Sequence, residues 1–541
     1  MDFLAVLNEI DNFIWGPPLL VLLVGTGILL TIRLHLLQIF KLPKALSLIF
    51  RAQNAGSGDI DSFKALCTAL SATVGTGNIV GVATAIHAGG PGALFWMWMA
   101  AFFGMATKYA EGLLAVKYRE TDEKGEIAGG PMYYIKNGMG EKYKWLGGLF
   151  AFFGVLVAYF GIGTFAQVNS IVDITKMTIG LDPVWTGAIL TIFVAAITIG
   201  GLQSIAAAAS RIVPAMAFIY FLSTIGVLLV FADKVPAAVS MIFESAFTTT
   251  AATGGFLGAT VMMAMKNGVA RGVFSNESGL GSAPIVAAAA KTKWPAEQGL
   301  ISMTGTFIDT IVICTLTGLT LVVTGVWCGM ENGAALTNAA FTSAFPVFGG
   351  YMLLIGLVLF AFTTILGWNY YGERCMIYLV GTKGVLPYRL VFILLVASGA
   401  FLKLEAIWIL ADIVNGLAEG LGEGFDLLFR RKAPERHADG CRRLLRRLPH
   451  RRQDVRWLKR PRTAGAARRN SEAHEVEPYE QRLVVDTLNG DIEIARQPAR
   501  ERAVELHARN LSEPREEMIA PRLQERALLV KLRLCDGGRK A

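Results

Sequence analysis

The stretch SATVGTGNIVGVATAI, from Ser71 to Ile86, places glycines and polar side chains inside an otherwise apolar run. Glycine weakens a helix by about 1 kcal/mol relative to alanine, so this run predicts a helix interrupted near Gly75 and Gly77. Carbonyls freed by such a break suit a hard cation such as sodium, and freed amides suit a carboxylate. The stretch therefore predicts a site for a cation and for the acid end of an amino acid. The alternative is close helix packing, because Gly77 and Gly81 have the four-residue spacing that lets helices approach.

A second glycine break is predicted at FTTTAATGGFLGAT, from Phe247 to Thr260. Inside the bilayer core, non-helical backbone persists only where it lines a cavity or is buried in protein. Interrupted helices at matching places in the two halves of a chain are typical of transporter binding sites. Thr250, Gly254 and Gly255 are the predicted substrate contacts here, because carbonyls of this break can accept a substrate ammonium.

Other polar side chains lie within predicted spans, where they are energetically costly and often functional. Gln167 is either a substrate contact or a helix-to-helix hydrogen bond. The hydroxyls of Thr363 and Thr364 either complete a cation site or bond back to their own helix. Trp368 either walls a small pocket or is an ordinary core residue. Asp309 is either a cation or proton group, or the partner of a neighbouring side chain.

The polar stretch GVFSNESGLGSAPI, from Gly272 to Ile285, is predicted to follow the seventh span, and Asn276 in it is a further predicted substrate contact. Ser275 and Glu277 suggest a hydrolase, but the stretch has no G-x-S-x-G nucleophile elbow. The histidines outside the C-terminal region lie near span ends, so no base is placed beside a nucleophile. The cysteines show no metal-ligand spacing. An enzyme and a zinc site are therefore not expected.

The composition defines the broad class. The chain has 541 residues, of which 53% are hydrophobic and 17% are charged, and its mean hydropathy is +0.47. Soluble chains carry roughly 25% charged residues. These values predict an all-α polytopic membrane protein.

About eleven apolar runs are long enough to cross a bilayer. They cover residues 14–32, 64–87, 92–116, 146–170, 184–201, 211–231, 237–264, 298–325, 349–371, 388–402 and 405–428. Lys and Arg collect in alternate loops, which the positive-inside rule assigns to the cytoplasm. The prediction is a multi-pass protein of the inner (plasma) membrane, with the N-terminus outside and the C-terminus cytoplasmic.

The order of the spans indicates an internal repeat. After the first span, the remaining spans divide into two groups of five, and each group opens with one glycine break. Because five is odd, the two groups face opposite ways across the bilayer. The predicted organisation is an N-terminal helix and loop (1–63), a first repeat (64–232), a second repeat (237–428) and an Arg-rich tail (429–541).

Long motifs in the chain resemble the alanine or glycine:cation symporter family. They are NAGSGDIDSFKALCTALSATVGTGNIVGVATAI, GGPGALFWMWMAAFFGMATKYAEGLLAVKYRE, GGPMYYI and ARGVFSNESGLGSAPI, and the resemblance covers about residues 1–417. It implies an eleven-helix, five-plus-five fold of the amino acid/polyamine/organocation type. It also implies uptake of alanine or glycine together with sodium or protons. A same-fold transporter of another small neutral amino acid, or a non-transporting amino-acid sensor, is the alternative.

The first break also resembles the broken first helix of sodium-coupled neurotransmitter-type transporters. This likeness implies one cation position at Thr73 and Asn78. It implies a second position formed by Ser71, Val74, Thr363 and Thr364. The implied cation ligands lie on the first break and the ninth span: Ser71, Thr73, Val74, Asn78, Thr363 and Thr364. The expected substrate contacts are Thr73, Gly75, Thr76, Gly77, Gln167, Thr250, Gly254, Gly255, Asn276 and Trp368. No cofactor is expected beyond the coupling ion, and the expected partners are a small amino acid, sodium and the lipid bilayer.

The resemblance ends near Ala418, where the composition changes. Residues 430–541 carry 28 Lys and Arg against 17 Asp and Glu, a balance of +11, and 24 of these bases are Arg. One hypothesis is a basic tail attracted to anionic lipid or nucleic acid. The other is a frameshift, which the abrupt change without a linker favours. No nucleic-acid partner is therefore expected.

Overall fold

A computed structural model describes residues 3–50, 56–248 and 261–401, together with 409, 411–418, 420 and 422. The predicted contacts Thr250, Gly254 and Gly255 of the second break lie outside the described residues. The same holds for the predicted Arg-rich tail, residues 429–541. In the described part the chain is helical apart from loops and one short hairpin, as expected for an all-α membrane protein.

The helices of the N-terminal part lie before a two-stranded hairpin. They are α1 (Phe3–Ile14), α2 (Pro17–Arg33), α3 (Leu37–Phe40), α4 (Leu42–Ile49), α5 (Ser62–Thr73), α6 (Val80–Gly89) and α7 (Gly92–Lys117). The antiparallel hairpin pairs β1 (Glu120–Thr121) with β2 (Ile127–Ala128).

The helices after the hairpin complete the described fold. They are α8 (Pro131–Tyr134), α9 (Lys144–Phe160), α10 (Phe165–Ile179), α11 (Pro183–Thr198), α12 (Gly201–Val230), α13 (Val235–Phe247), α14 (Val261–Asn276), α15 (Ala283–Ala287), α16 (Pro295–Thr306), α17 (Thr315–Thr324), α18 (Gly333–Ala344), α19 (Gly349–Val380) and α20 (Val385–Gly399). A π-helical segment, Phe307–Cys314, joins α16 to α17, and residues 411–418 are also helical.

Within the described residues, six helical stretches are long and apolar enough to cross a membrane. A seventh is obtained when the bent pair Ser62–Thr73 and Thr76–Gly89 is taken as one span. Large apolar side chains such as Trp185, Phe193 and Leu394 are more than half exposed, as expected for surfaces that face lipid. The eleven-span count and the inverted repeat stay predictions.

The predicted first break is present. Helix α5 ends at Thr73, the backbone of Val74 is extended, and a short 3-10 turn, Thr76–Asn78, precedes α6. The two helices meet at an angle of 62°. Because Gly75 has no Cβ, Thr364 can approach the break closely, and a Cβ built on Gly75 would overlap the Thr364 hydroxyl oxygen.

Three helix boundaries differ from the predicted spans. The span predicted at 146–170 is interrupted at Gly161–Thr164, so Gln167 lies in the first turn of α10 rather than late in one helix. Helix α12 begins at Gly201, ten residues before the predicted start at 211. Helix α14 runs to Asn276, so the start of the polar stretch is helical rather than a loop. In each case the boundary is predicted from hydropathy averaged over a window of residues. That window includes glycines and polar residues, and whether these are helical depends on tertiary packing.

Two long helices organise the core around the break. Helix α7 packs against α14 and α16, and α19 packs against α5, α9, α10 and α12. The contact between α19 and α5 is very close, because a Cβ on Gly367 would lie 2.8 Å from the Ala72 Cβ. This packing brings α19 side chains onto the end of α5, where the break begins.

Candidate functional site

The break closes on itself through Asn78. The Gly75 backbone N–H donates to the Asn78 side-chain oxygen Oδ1 at 2.8 Å. The Asn78 backbone N–H donates in return to the Gly75 carbonyl at 3.2 Å. This reciprocal pair satisfies backbone groups that the interrupted helix leaves open. The Asn78 oxygen, predicted as a cation ligand, is thus occupied by a backbone amide in this structure.

Gln167 reaches the break from α10. Its Oε1 accepts a hydrogen bond from the Thr76 amide at 3.3 Å, and its Nε2 donates to the Ile162 carbonyl at 3.0 Å. A Cβ on Gly75 would lie 3.3 Å from the same Oε1. The structure therefore places Gln167 beside the predicted substrate contacts Gly75 and Thr76, and its hydrogen bond joins α10 to the break.

The two threonines of α19 differ in what they contact. Thr364 Oγ1 can donate to two carbonyl oxygens: that of Val74, at 3.4 Å, and that of Phe360 in its own helix, at 3.1 Å. Thr363 Oγ1 bonds to carbonyls of its own helix and lies 3.4 Å from the Met216 sulfur. Thr364 therefore faces the break, whereas the Thr363 hydroxyl is used within α19 and against α12.

Ser71 and Thr73 also bond back to their own helix. Ser71 Oγ donates to the Thr68 carbonyl at 2.8 Å, and Thr73 Oγ1 lies 3.3 Å from the Ala69 carbonyl. The glycines that follow have different surroundings. A Cβ on Gly77 would lie 3.1 Å from the Ser275 Cα, whereas a Cβ on Gly81 would have no atom within 4 Å. Close helix packing therefore explains Gly77 but not Gly81.

Asp309 links the first break to the second half of the chain. Its carboxylate accepts hydrogen bonds from Asn78 Nδ2 at 2.7 Å, Ser275 Oγ at 2.9 Å and Thr310 Oγ1 at 2.7 Å. The carboxylate lies in the π-helical segment and is fully buried. Asn276 extends the network, because its Nδ2 donates to Thr310 Oγ1 at 3.1 Å. The network joins the Thr76–Asn78 turn, the end of α14 and the π-helical segment between α16 and α17.

Trp368 is buried and hydrogen-bonded, and it belongs to α19, one turn after Thr364. Its indole Nε1 donates to Glu277 Oε1 at 2.8 Å. Its ring packs edge-on against Tyr371, with centroids 5.4 Å apart. A Cβ on Gly163 would lie 2.8 Å from the Trp368 Cβ, so α19 packs closely against the interruption between α9 and α10 at this residue.

The structure also places buried charged side chains near the site that are not among the predicted substrate or cation contacts. Lys108 and Glu111 of α7 and Glu277 after α14 are all at most 2% exposed. Among the described residues, Lys108 Nζ and Glu111 Oε2 have no hydrogen-bond partner. Lys108 also lines a small cavity together with Thr73 and Asn276. Ionisable residues inside a predicted span are themselves a signal of function, and GMATKYAEG carries two of them.

In this arrangement, oxygen atoms from two elements are available to bind a cation. Backbone amides from one element are available to bind a carboxylate. The carbonyl of Val74 and the hydroxyl of Thr364 face each other across the α5–α19 contact. Gln167 lies next to Thr364 at Gly75, since a Cβ on Gly75 would meet both side chains, and it accepts the Thr76 amide. Thr76 Oγ1 is buried and has no hydrogen-bond partner among the described residues, which leaves a polar atom for a ligand.

Comparison with known proteins gives one consistent result. The sequence model of the sodium:alanine symporter family matches residues 1–420. An uncharacterized transporter from Haemophilus influenzae is 58% identical over 419 residues, which are 77% of this chain and 91% of that protein. The sodium/alanine symporter AgcS from Methanococcus maripaludis is 52% identical over 424 residues, 77% of this chain and 92% of AgcS.

A more distant relative has a different substrate in its name. The probable sodium/glutamine symporter GlnT from Bacillus subtilis is 36% identical over 412 residues, 75% of this chain and 84% of GlnT. The region that the family model matches, residues 1–420, contains both the α5–α6 break and α19. The chain is therefore a multi-pass membrane protein of the transporter class and belongs to the sodium:alanine symporter family.

Proposed function

We propose that the chain couples sodium entry to the uptake of alanine or glycine by alternating access. The observation that carries the proposal is the break at Val74–Asn78, whose backbone contacts Thr364 of α19 at the Val74 carbonyl and Gln167 of α10 at the Thr76 amide. Such a break gives a cation and an amino acid adjacent binding groups from the same few residues. Family membership and the name of AgcS support the cargo.

The sodium ion is proposed to bind between α5 and α19. The Val74 carbonyl and Thr364 Oγ1 are 3.4 Å apart. A hard cation held about 2.4 Å from octahedral ligands keeps neighbouring oxygens about 3.4 Å apart, so one ion can contact both. Ser71 and Thr363 complete the ligand set after their hydroxyls turn from their own helices. The second position, at Thr73 and Asn78, requires Asn78 to release the Gly75 amide.

The amino acid is proposed to bind beside the sodium ion, at Gly75–Gly77 and Gln167. Its carboxylate meets the backbone of Gly75, Thr76 and Gly77, where the start of a helical segment favours an anion. Its ammonium is accepted by Gln167 Oε1 and by carbonyls of the second break. Trp368 and Asn276 bound the space that remains for the side chain, which favours alanine and glycine over larger amino acids.

Sodium entry supplies the driving force for accumulation. One positive charge moving inward across 100 mV gains about 2.3 kcal/mol. That free energy corresponds to a concentration ratio of about 45 for the coupled amino acid. The two predicted repeats are proposed to rock about the break and expose it to each side in turn.

The alternatives concern the substrate and the ion. The name of GlnT favours a second candidate, a sodium-coupled carrier of another neutral amino acid. A proton in place of sodium would use Asp309, the fully buried carboxylate that contacts Asn78 of the break. An amino-acid sensor would bind substrate at the same break without moving it.

Uptake into proteoliposomes tests the proposal. The purified chain is reconstituted, and labelled alanine uptake is measured with an inward sodium gradient, with potassium in its place, and with a pH gradient alone. We expect uptake above the external concentration only with sodium, and competition by unlabelled glycine but not by glutamine. Equal uptake with sodium and potassium would contradict sodium coupling, and binding without uptake would identify a sensor.

A further inference from the structure

Glu277 has an unusual backbone for a charged residue. It follows the last turn of α14 with φ of +54°, in the left-handed region that side chains other than glycine rarely adopt. Its side chain is fully buried. A strained backbone and a buried carboxylate both cost free energy, so the surrounding structure must hold this residue in place for a reason.

The carboxylate of Glu277 joins two elements. Oε1 accepts the indole N–H of Trp368 at 2.8 Å, and Oε2 accepts the hydroxyl hydrogen of Ser282. The contacts tie the turn after α14 to α19, and α19 carries Thr364 one turn before Trp368.

The hydrogen bond restricts the orientation of the indole. Tryptophan has a single polar hydrogen, so one acceptor at a fixed place selects one ring orientation. The Trp368 Cβ lies against Gly163, in the interruption that precedes Gln167, and this contact places the base of the side chain beside α10. In the proposed function the Trp368 ring bounds the amino-acid site, so a change in the ring orientation alters the space for the substrate side chain.

We propose that Glu277 is a positioning residue that holds the Trp368 ring and thereby limits the size of the substrate side chain. The proposal rests on the proposed function, in which Trp368 bounds the amino-acid site. Glu277 acts through the indole, so its contribution disappears when the ring has no N–H to donate.

The test compares size selectivity among full-length variants in proteoliposomes. Selectivity is the ratio of kcat/KM between the smallest and the largest neutral amino acid that the wild-type protein accepts, with glycine, alanine, valine, leucine and glutamine as the panel. Glu277→Ala is expected to lower this ratio roughly tenfold, because a hydrogen bond to a charged group is lost. Glu277→Gln retains an oxygen that accepts the indole N–H, and it should keep the ratio within about threefold of the wild-type value.

Trp368→Phe is the matched variant, because it retains an aromatic ring and removes the donor. We expect Trp368→Phe to lower the selectivity ratio to the same extent as Glu277→Ala. The double variant Glu277→Ala/Trp368→Phe should have the same ratio as either single variant, without a further decrease. Additive effects in the double variant, or an unchanged ratio in Trp368→Phe, would overturn the proposal. If Glu277→Ala does not fold, Trp368→Phe and Glu277→Gln still decide the question. Sodium-driven uptake by the wild-type protein is recorded separately, so a failure of the proposed function is distinguished from a failure of positioning.

Discussion

At the residue scale, the break is held by hydrogen bonds that a ligand can replace. Thr364 Oγ1 lies between the Val74 carbonyl and its own helix, and Gln167 accepts the Thr76 amide at 3.3 Å. These are long contacts for hydrogen bonds between such groups. An ion or a carboxylate that binds more strongly can therefore take over these groups without disrupting the fold.

Replacing Thr364 with valine tests the proposed sodium ligand. Thr364→Val removes the hydroxyl that faces Val74, so the sodium concentration for half-maximal uptake should rise at least about tenfold, since a ligand to a charged group is lost. Thr363→Val should have a smaller effect, because the Thr363 hydroxyl bonds within α19. Thr364→Ser restores a hydroxyl and should restore sodium affinity. Unchanged sodium dependence in Thr364→Val would rule out this ligand.

Alanine substitutions at two glycines separate the break from ordinary helix packing. Gly75→Ala places a methyl group against Thr364, and overpacking of this kind costs about 1–3 kcal/mol. We expect lower thermal stability in detergent and a loss of sodium-driven uptake. Gly81→Ala serves as the control, because a Cβ there meets no atom within 4 Å, and it should transport normally. Normal transport by Gly75→Ala would contradict the close contact at the break.

At the element scale, α19 is tied to the β1–β2 hairpin as well as to the break. Arg374, 3% exposed near the end of α19, pairs with Asp122 at 3.1 Å and with Glu126 at 2.5 Å. The Asp122 side chain is itself only 7% exposed. Two pairs from one guanidinium fix the hairpin to the helix that carries Thr364 and Trp368.

Removal of the Arg374 charge should destabilise this connection. Arg374→Met leaves the Asp122 carboxylate buried without its partner, which costs about 3–5 kcal/mol. The measurement is thermal unfolding in detergent, with Lys136→Met as the comparison. Lys136 pairs with Glu120 at 3.0 Å in a more exposed setting, so its loss should cost no more than about 1 kcal/mol. Equal stability of the two variants would show that the Arg374 pairs do not hold the hairpin.

At the scale of the whole molecule, orientation across the bilayer is a prediction from the distribution of Lys and Arg. This prediction places the N-terminus outside. It also places outside the loop that contains Cys328, because that loop has few Lys and Arg residues. Cys328 is exposed, whereas Cys67, Cys314 and Cys375, the other cysteines among the described residues, are buried. One thiol therefore reports the side of the membrane on which this loop lies.

Labelling of Cys328 tests the orientation. A maleimide that cannot cross membranes should label the protein in intact cells, and Cys328→Ser should abolish that labelling. Partial desolvation by neighbouring atoms raises the pKa of the Cys328 thiol although the side chain is exposed, and the thiolate is the reactive form, so labelling should increase as the pH rises. Labelling at Cys328 only after the cells are opened would reverse the predicted orientation.

The sequence by itself determined the class of protein and the position of the first break. Apolar length and low charge decide membrane insertion locally, and clustered glycines weaken a helix wherever it packs. The motifs were long enough to indicate the family, which the match over residues 1–420 confirms. The roles of Gln167, Thr363 and Thr364 stayed open, because each alternative uses the same residue type in the same helix.

Only the tertiary structure decided which side chains meet the break. Gln167 is 91 residues from Thr76, and Thr364 is 290 residues from Val74, so no local pattern relates them. The same is true of Glu277 and Trp368, which are separated by 91 residues. Whether a hydroxyl faces a break or its own helix depends on helix rotation and packing, and these are set by the whole bundle.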